Sequence, residues 1–473
     1  MSRLEPSWSD RARAGFLAVA WVALGACVAL APGEAVAAEF QLPAYTRTQL
    51  KNGLTVYVMP TKRLPLVDLK LMVRAGSVND PVGKEGLANL TGNMLTQGAG
   101  ARTAKQLAAD IEFVGGDLGV ATEAERLVIS CEVLRKDLDT GLAIFHDVVV
   151  APTFPEADFS RVKEEQVGAL VNGRDDPGTV ADQALFPFLL GDTRLAHPPE
   201  GWEASVKSIT RDDVLRFHDR HARPNQSVLA VVGDVDIATL VPRLEKLFAD
   251  WKPGGEPAAE RYDASVGLKG RQVRVIEKPE VTQTQIRLAC MGVPRSHPDY
   301  YAIRIANTIL GAGFTSRLVN EIRVVQGLTY SIRSRQNMWR NSGSFVVTTF
   351  TRNQTLRKCI DATIAEIKKL RDEGPTVAEL DKSKRFLTGQ FPLGLQAPDD
   401  LADNLLTIDF YGIDPRFVET FSARVNEVTM EDVRRVLKTN FCVEDLRILV
   451  VTDPKLAQKE LAGLGTIEVK PIP

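Results

Sequence analysis

Five histidines and five cysteines are the side chains in this 473-residue sequence best able to hold a metal or act as nucleophiles. Their spacing builds neither a metal site nor a catalytic pair. His218 and His221 lie three apart near the end of a helix that starts at Thr210, so they could share one ion; packing, or a contact with the negative end of that helix, is the better account. His146 falls on an amphipathic helical stretch and reads as structural. Cys131 and Cys290 sit in strand-like runs, Cys359 and Cys442 lie far from both, and no Cys-x-x-Cys occurs, which excludes a zinc ribbon and a redox motif. Buried free thiols are the expectation, with a disulfide left open. Gly311-Ala312-Gly313 begins like a dinucleotide fingerprint, but Ser316 stands where a third glycine is required, and a helical stretch precedes it where a strand is needed. No Gly-x-Ser-x-Gly elbow is present, so nothing favours a serine hydrolase. The charged run 366–373 reads as a solvated helix face ending at Gly374-Pro375.

The elements that would position any site occur twice. Val56-Tyr57-Val58-Met59 and Leu69-Lys70-Leu71-Met72-Val73 match Val273-Arg274-Val275-Ile276 and Ile286-Arg287-Leu288-Ala289-Cys290 at a constant offset of 217. Ile209-Thr210-Arg211-Asp212-Asp213-Val214 matches Val428-Thr429-Met430-Glu431-Asp432-Val433 at an offset of 219. Two units of similar length thus share one plan. Each opens with strand-type alternation and passes to helices, and the two Thr-x-Asp-Asp and Thr-x-Glu-Asp pieces are helix starts with threonine as N-cap and acids in the first turn. Strands follow these helices at 227–234 and 446–451. The predicted fold class is α+β: two homologous α/β-sandwich halves, each a mixed sheet with helices packed on one face. The predicted halves span 39–252 and 269–473, joined by a linker at 253–268 where Pro253-Gly254-Gly255 interrupts the periodicity.

Residues 1–38 belong to a different regime. Arg11 and Arg13 precede an apolar run, Pro32-Gly33 breaks it, and Ala35-Val36-Ala37-Ala38 supplies small residues for cleavage after Ala37 or Ala38. This predicts a signal peptide and a bacterial periplasmic address. Two alternatives stand beside it: Leu24-Gly25-Ala26-Cys27 resembles a lipobox that would make Cys27 a lipidated N-terminus, and the apolar run is long enough for an uncleaved anchor. With 44% apolar and 25% charged residues the remainder is ordinary globular sequence, and a net charge of -2 argues against nucleic acid as the principal partner.

Four stretches carry a family resemblance: Leu50-Lys51-Asn52-Gly53-Leu54-Thr55-Val56, Pro152-Thr153-Phe154-Pro155-Glu156, the run from Arg223-Pro224-Asn225 to Val232-Gly233-Asp234, and Arg385-Phe386-Leu387-Thr388-Gly389-Gln390-Phe391. Together with the duplication they make the chain resemble the pitrilysin/insulinase (inverzincin) zinc peptidases, in the short two-domain type to which mitochondrial processing peptidase subunits belong. In that family His-x-x-Glu-His on a helix holds zinc and a general base, and a glutamate from a second helix is the third ligand. The resemblance puts Asn89 and Asn93 at the histidine positions, Gly92 at the glutamate and Ala169 at the third ligand, so all four chemical positions are blank and no metal is expected in this chain. The family's C-terminal substrate segment resembles 310–330, where Arg323 and Tyr330 have the seven-residue spacing of an arginine and a tyrosine that face the bound peptide. Guanidinium and phenol suit that role, since both can donate to a scissile carbonyl as it gains charge. Gly311, Gly313 and Phe314 are then read as a glycine-rich turn lining the peptide chamber.

The resemblance implies a non-catalytic, substrate-binding subunit of a heterodimeric zinc metallopeptidase, inactive alone. A homologous partner with intact His-x-x-Glu-His would supply the zinc, and Arg323 and Tyr330 would complete its site around short peptides. One alternative is a non-enzymatic peptide-binding or scaffold homodimer in the periplasm; another is an active hydrolase working through an unrecognised site. Fold alone does not separate them.

Overall fold

The structure is a computed structural model describing residues 41–255 and 269–473; the predicted signal segment with Cys27 lies outside the described residues, as does residue 256 onward of the predicted linker. The first sheet is formed by β1 (Thr46–Gln49), β2 (Thr55–Pro60), β3 (Leu66–Val73), β6 (Asp117–Thr122), β7 (Leu127–Leu134) and β8 (Ser227–Gly233), with a small separate ribbon of β4 (Gly98–Ala99) and β5 (Arg102–Thr103). The second contains β9 (Gln272–Glu277), β10 (Gln283–Met291), β11 (Ile332–Met338), β12 (Gly343–Arg352), β13 (Arg447–Thr452) and β14 (Thr466–Lys470). Their spatial orders are β1-β2-β8-β3-β7-β6 and β14-β9-β13-β10-β12-β11. Five strands correspond one to one, and both sheets are mixed: β2 runs parallel to β8 and β9 parallel to β13, and the remaining shared pairings are antiparallel.

The internal repeat is thus a repeat of register. Val56 lies opposite Leu229 in the first sheet and Val273 opposite Ile448 in the second, which reproduces the offsets of 217 and 219 residue for residue. The edges differ, because β1 pairs antiparallel to β2 while the corresponding edge strand β14 comes from the C-terminus and runs parallel to β9. Thr210 and Thr429 both close capping boxes, on the helices Arg211–His221 and Met430–Asn440.

Helices of each half cover one sheet face as expected, and the opposite face is not left bare. Odd-numbered Val67, Leu69, Leu71 and Val73 of β3 join Leu142, Phe145, Phe154 and Val214 in the core of the first half. The even positions look the other way, toward the helix Pro398–Tyr411 of the second half. There Lys70, only 7% exposed, is held between Asp399 at 2.5 Å and Asp403 at 2.9 Å, while Tyr57 donates to Asp409 at 2.8 Å. The exchange is reciprocal: the helix Pro177–Leu190 of the first half lays Val180, Ala184 and Phe188 against Ala289, Leu449 and Val451 of the second sheet. Arg287 on β10 reaches across to Asp182 at 2.6 Å. Strands buried on both faces read as continuous apolar runs, which is why β2 and β8 show no clean alternation. Each fully buried Leu, Val or Phe in these layers contributes roughly 1.5–3 kcal/mol.

The cysteines correct one expectation. Cys290, at the end of β10, is not a free thiol: it forms a disulfide with Cys442, just beyond the helix Met430–Asn440. Those elements meet only in the folded chain, 152 residues apart, so spacing could not pair them. Cys131 and Cys359 are free and buried, and burial pushes their thiols up to about 12 and about 11.

Candidate functional site: a polar cavity and an arginine between exposed rings

The helix Leu87–Met94 begins on a buried carboxylate. Asp80 accepts from the backbone N–H groups of Gly86 and Ala88, both at 2.7 Å, and so satisfies two donors of the helix start. Burial raises its pKa to about 7 although those two amides oppose the shift. From this anchor Asn89 and Asn93, one turn apart, face a cavity of about 950 Å³, and Ala169 on the helix Glu156–Gly173 faces the same space. The fold therefore brings together three of the four positions singled out in the sequence, on the i, i+4 geometry a metal site would use. Their donor set does not fit zinc: two neutral amides and a methyl group offer no imidazole, thiolate or carboxylate. Among the described residues no group of three His, Cys, Asp or Glu side chains is placed to hold a metal.

Gly92 is not on the cavity wall. It is buried against β6, and a Cβ there would stand 2.7 Å from Thr122 Oγ1 and 3.3 Å from Val120 Cγ1. This position is closed sterically as well as chemically. A Gly92→Ala substitution should therefore lower stability by about 1 kcal/mol, with overlap costing 1–3 kcal/mol against a helix-propensity gain of about 1 kcal/mol. Adding Thr122→Ala should reverse the loss, because the two sites share the contact. Urea midpoints of the two variants check this, and a more stable Gly92→Ala protein would contradict it.

Sequence reasoning missed much of the cavity wall. Gln183 and Phe186 come from the exchanged helix Pro177–Leu190, and Asn337 and Trp339 from the end of β11 and just beyond it. Gln166 donates to Gly86 and Glu200 carbonyls, at 3.2 and 2.8 Å, which ties the wall helix to the loop beside it. The resulting surface combines side-chain amides with Glu165, Asp182, Glu200 and His197, so it offers both neutral and charged hydrogen-bonding groups.

Arg323 and Tyr330 do not line that cavity. They lie side by side elsewhere in the second half, with the Arg323 guanidinium carbon 4.9 Å from the Tyr330 ring centre and 5.2 Å from that of Phe314. Phe314 and Tyr330 are each 76% exposed, as are large parts of neighbouring Val324 and Val325. Arg323 sits within a π-helical segment, Val319–Val325, and a second such segment, Thr308–Ala312, precedes the glycine-rich turn. Short π-helical insertions are rare and concentrate at functional places. Gly311 has a different job from the one read in the sequence: it is buried, and a Cβ would stand 2.7 Å from the Ser334 backbone nitrogen, so it permits close packing of the turn on β11. Gly313 has no such neighbour.

Three of the five histidines, His146, His218 and His221, pack against aromatic rings. His218 contacts the Val149 carbonyl at 3.2 Å and lies edge-on to Phe154, while His221 packs on Phe217. Burial lowers both to about 4. His146 packs beside Phe248.

Fold and site together define a duplicated peptidase-type scaffold whose metal positions are empty of ligands. Residues 58–177 match the family model described as insulinase (peptidase family M16), and residues 208–387 match the one described as peptidase M16 inactive domain. The chain belongs to this M16 family. It is 26% identical over 397 residues to an uncharacterized zinc protease of Streptomyces coelicolor, covering 83% of this chain and 86% of that one. It is 25% identical over 396 residues to the non-peptidase homolog YmxG of Helicobacter pylori, covering 83% and 90%. Among solved structures, a peptidase M16 inactive domain from Pseudomonas fluorescens superposes with a TM-score of 0.80 at 27% identity, over 86% of this chain and 98% of that one.

Proposed function

We propose that the chain is the non-catalytic, substrate-binding subunit of a heterodimeric zinc metallopeptidase that cleaves peptides in a closed chamber in the periplasm. The observation that carries this reading is Arg323, an arginine flanked by two exposed aromatic rings and paired with no carboxylate among the described residues. A scaffold has no use for such a group, and exposed Tyr, Phe and Arg together are the composition of a contact surface. In the assembled subunit pair, the Arg323 N–H groups and the Tyr330 O–H donate to the carbonyl oxygen of a peptide held at the partner's zinc site. They are worth most as that oxygen becomes negative, because donors fixed in advance need no reorganisation. The cavity around Asn89 and Asn93 offers hydrogen bonds to peptide groups.

That same cavity favours a second reading, a peptide-holding homodimer with no enzymatic role. The periplasmic address rests on the signal-like segment 1–38 and on the Cys290–Cys442 disulfide, a bond that persists in oxidising compartments. Assaying the chain alone and beside a homologue with intact His-x-x-Glu-His separates the two readings of function: only the first predicts cleavage that needs both chains.

A further inference from the structure

A second cavity, of about 440 Å³, lies in the C-terminal half, between the helix Tyr300–Asn307, strand β11 and the helix Val377–Gln390. Arg295, Arg304 and Arg335 line it, and no aspartate or glutamate is among the described residues of its wall. Arg287 and Arg317, also withdrawn from water, meet the carboxylates of Asp182 and Glu379. None of these three does. Arg295 lies 3.6 Å from the ring centre of Tyr300 and 4.9 Å from that of Phe417, and Arg304 donates to the hydroxyl of the same Tyr300 at 2.9 Å. One tyrosine therefore braces two cations. Burial depresses the Arg295 pKa; Tyr300 opposes that shift and the neighbouring Arg304 cation adds to it. Gln336 also lines the cavity, and its Nε2 is buried with no hydrogen-bond partner.

The balance of donors and acceptors is one-sided. Stacking on aromatic rings accounts for Arg295 and in part for Arg304, which also lies over Tyr300 and Phe421, but not for the unpartnered amide of Gln336. Partly withdrawing the like charges of Arg295 and Arg304 and burying the Gln336 amide is costly unless an acceptor arrives, and planar guanidinium forks, that of exposed Arg335 included, match the two oxygens of a carboxylate or a phosphate. We propose that this cavity binds a small ligand through an oxyanion, carboxylate or phosphate ester, with Arg304 and Arg335 as its charged contacts. The space exceeds that of a bare inorganic anion and falls within the range of small-molecule sites. A neighbouring cavity of about 410 Å³ shares Arg295, Tyr300 and Tyr411 and adds Phe417, which gives an organic body an aromatic wall.

The test uses the whole mature chain at low salt, titrated calorimetrically with benzoate, phenyl phosphate and the neutral benzamide. At least one anion should bind at least about tenfold more tightly than benzamide, and Arg304→Gln and Arg335→Gln should each weaken that binding about tenfold, the equivalent of one lost charged hydrogen bond. Arg335 is exposed, so its variant should keep the wild-type melting temperature even if Arg304→Gln does not. Tighter benzoate assigns the site to carboxylates and tighter phenyl phosphate to phosphate esters. Absence of anion binding up to about 10 mM, or equal binding by wild type and Arg335→Gln, would overturn the proposal.

Discussion

Replacing Cys290 and Cys442 by alanine, or reducing their disulfide, lowers the stability of the folded chain by about 2–5 kcal/mol, the range for loss of a native disulfide. The bond closes a loop of 152 residues, for which chain entropy alone gives about 5 kcal/mol; residual structure in the unfolded chain brings the expected value down. It joins the end of β10, at the centre of the second sheet, to the segment after the helix Met430–Asn440, so its removal loosens the half that carries Arg323. Urea denaturation with and without reductant measures the effect. Coincident curves would contradict it. Because Cys131 and Cys359 are buried with thiols pushed up to about 12 and about 11, no thiol among the described residues of the native oxidised protein should react with a thiolate-specific reagent. Intact mass of the same sample fixes the N-terminus, expected just after Ala37 or Ala38; a lipidated Cys27 or a retained Met1 would move the protein to a membrane.

In the proposed assembly with a zinc-bearing partner, Arg323→Ala and Tyr330→Phe should each lower turnover by about 100- to 1000-fold, the cost of removing one oxyanion-type donor. Binding of an uncleavable peptide should weaken much less, because a bond made mainly in the transition state acts on kcat more than on ground-state affinity. Both side chains are at the surface and neither holds the core, so zinc content of the complex and its assembly should be unchanged. Single-turnover rates beside peptide binding constants check the split. Wild-type turnover in both variants would leave this chain a structural half-shell.

The sequence carried the duplication well because register preserves offset: a strand that pairs with the same neighbour in both halves must keep its spacing. The shared face of Asn89 and Asn93 was legible for the same local reason, since i and i+4 on a helix point the same way. What joins distant parts was not legible. Pro177 and Pro398 open the two exchanged helices at similar places in the repeat, yet nothing local says that each helix crosses to the other half's sheet. The pairing of Cys290 with Cys442 and the convergence of Arg295, Arg304 and Arg335 depend likewise on separate elements meeting in space. Gly311 shows a different limit: the packing of this glycine against Ser334 depends on a strand that follows it in sequence and meets it only in the fold.

The central claim, a subunit that shares in catalysis without performing it alone, is tested most directly by measuring zinc content and peptide cleavage of the purified mature chain, alone and mixed with a homologue that carries intact His-x-x-Glu-His. The account predicts no stoichiometric zinc and no cleavage by this chain alone, because Asn89, Gly92, Asn93 and Ala169 provide neither ligand nor base, with cleavage appearing only when both chains are present. One tightly held zinc per chain, or chelator-sensitive cleavage by this chain on its own, would contradict it.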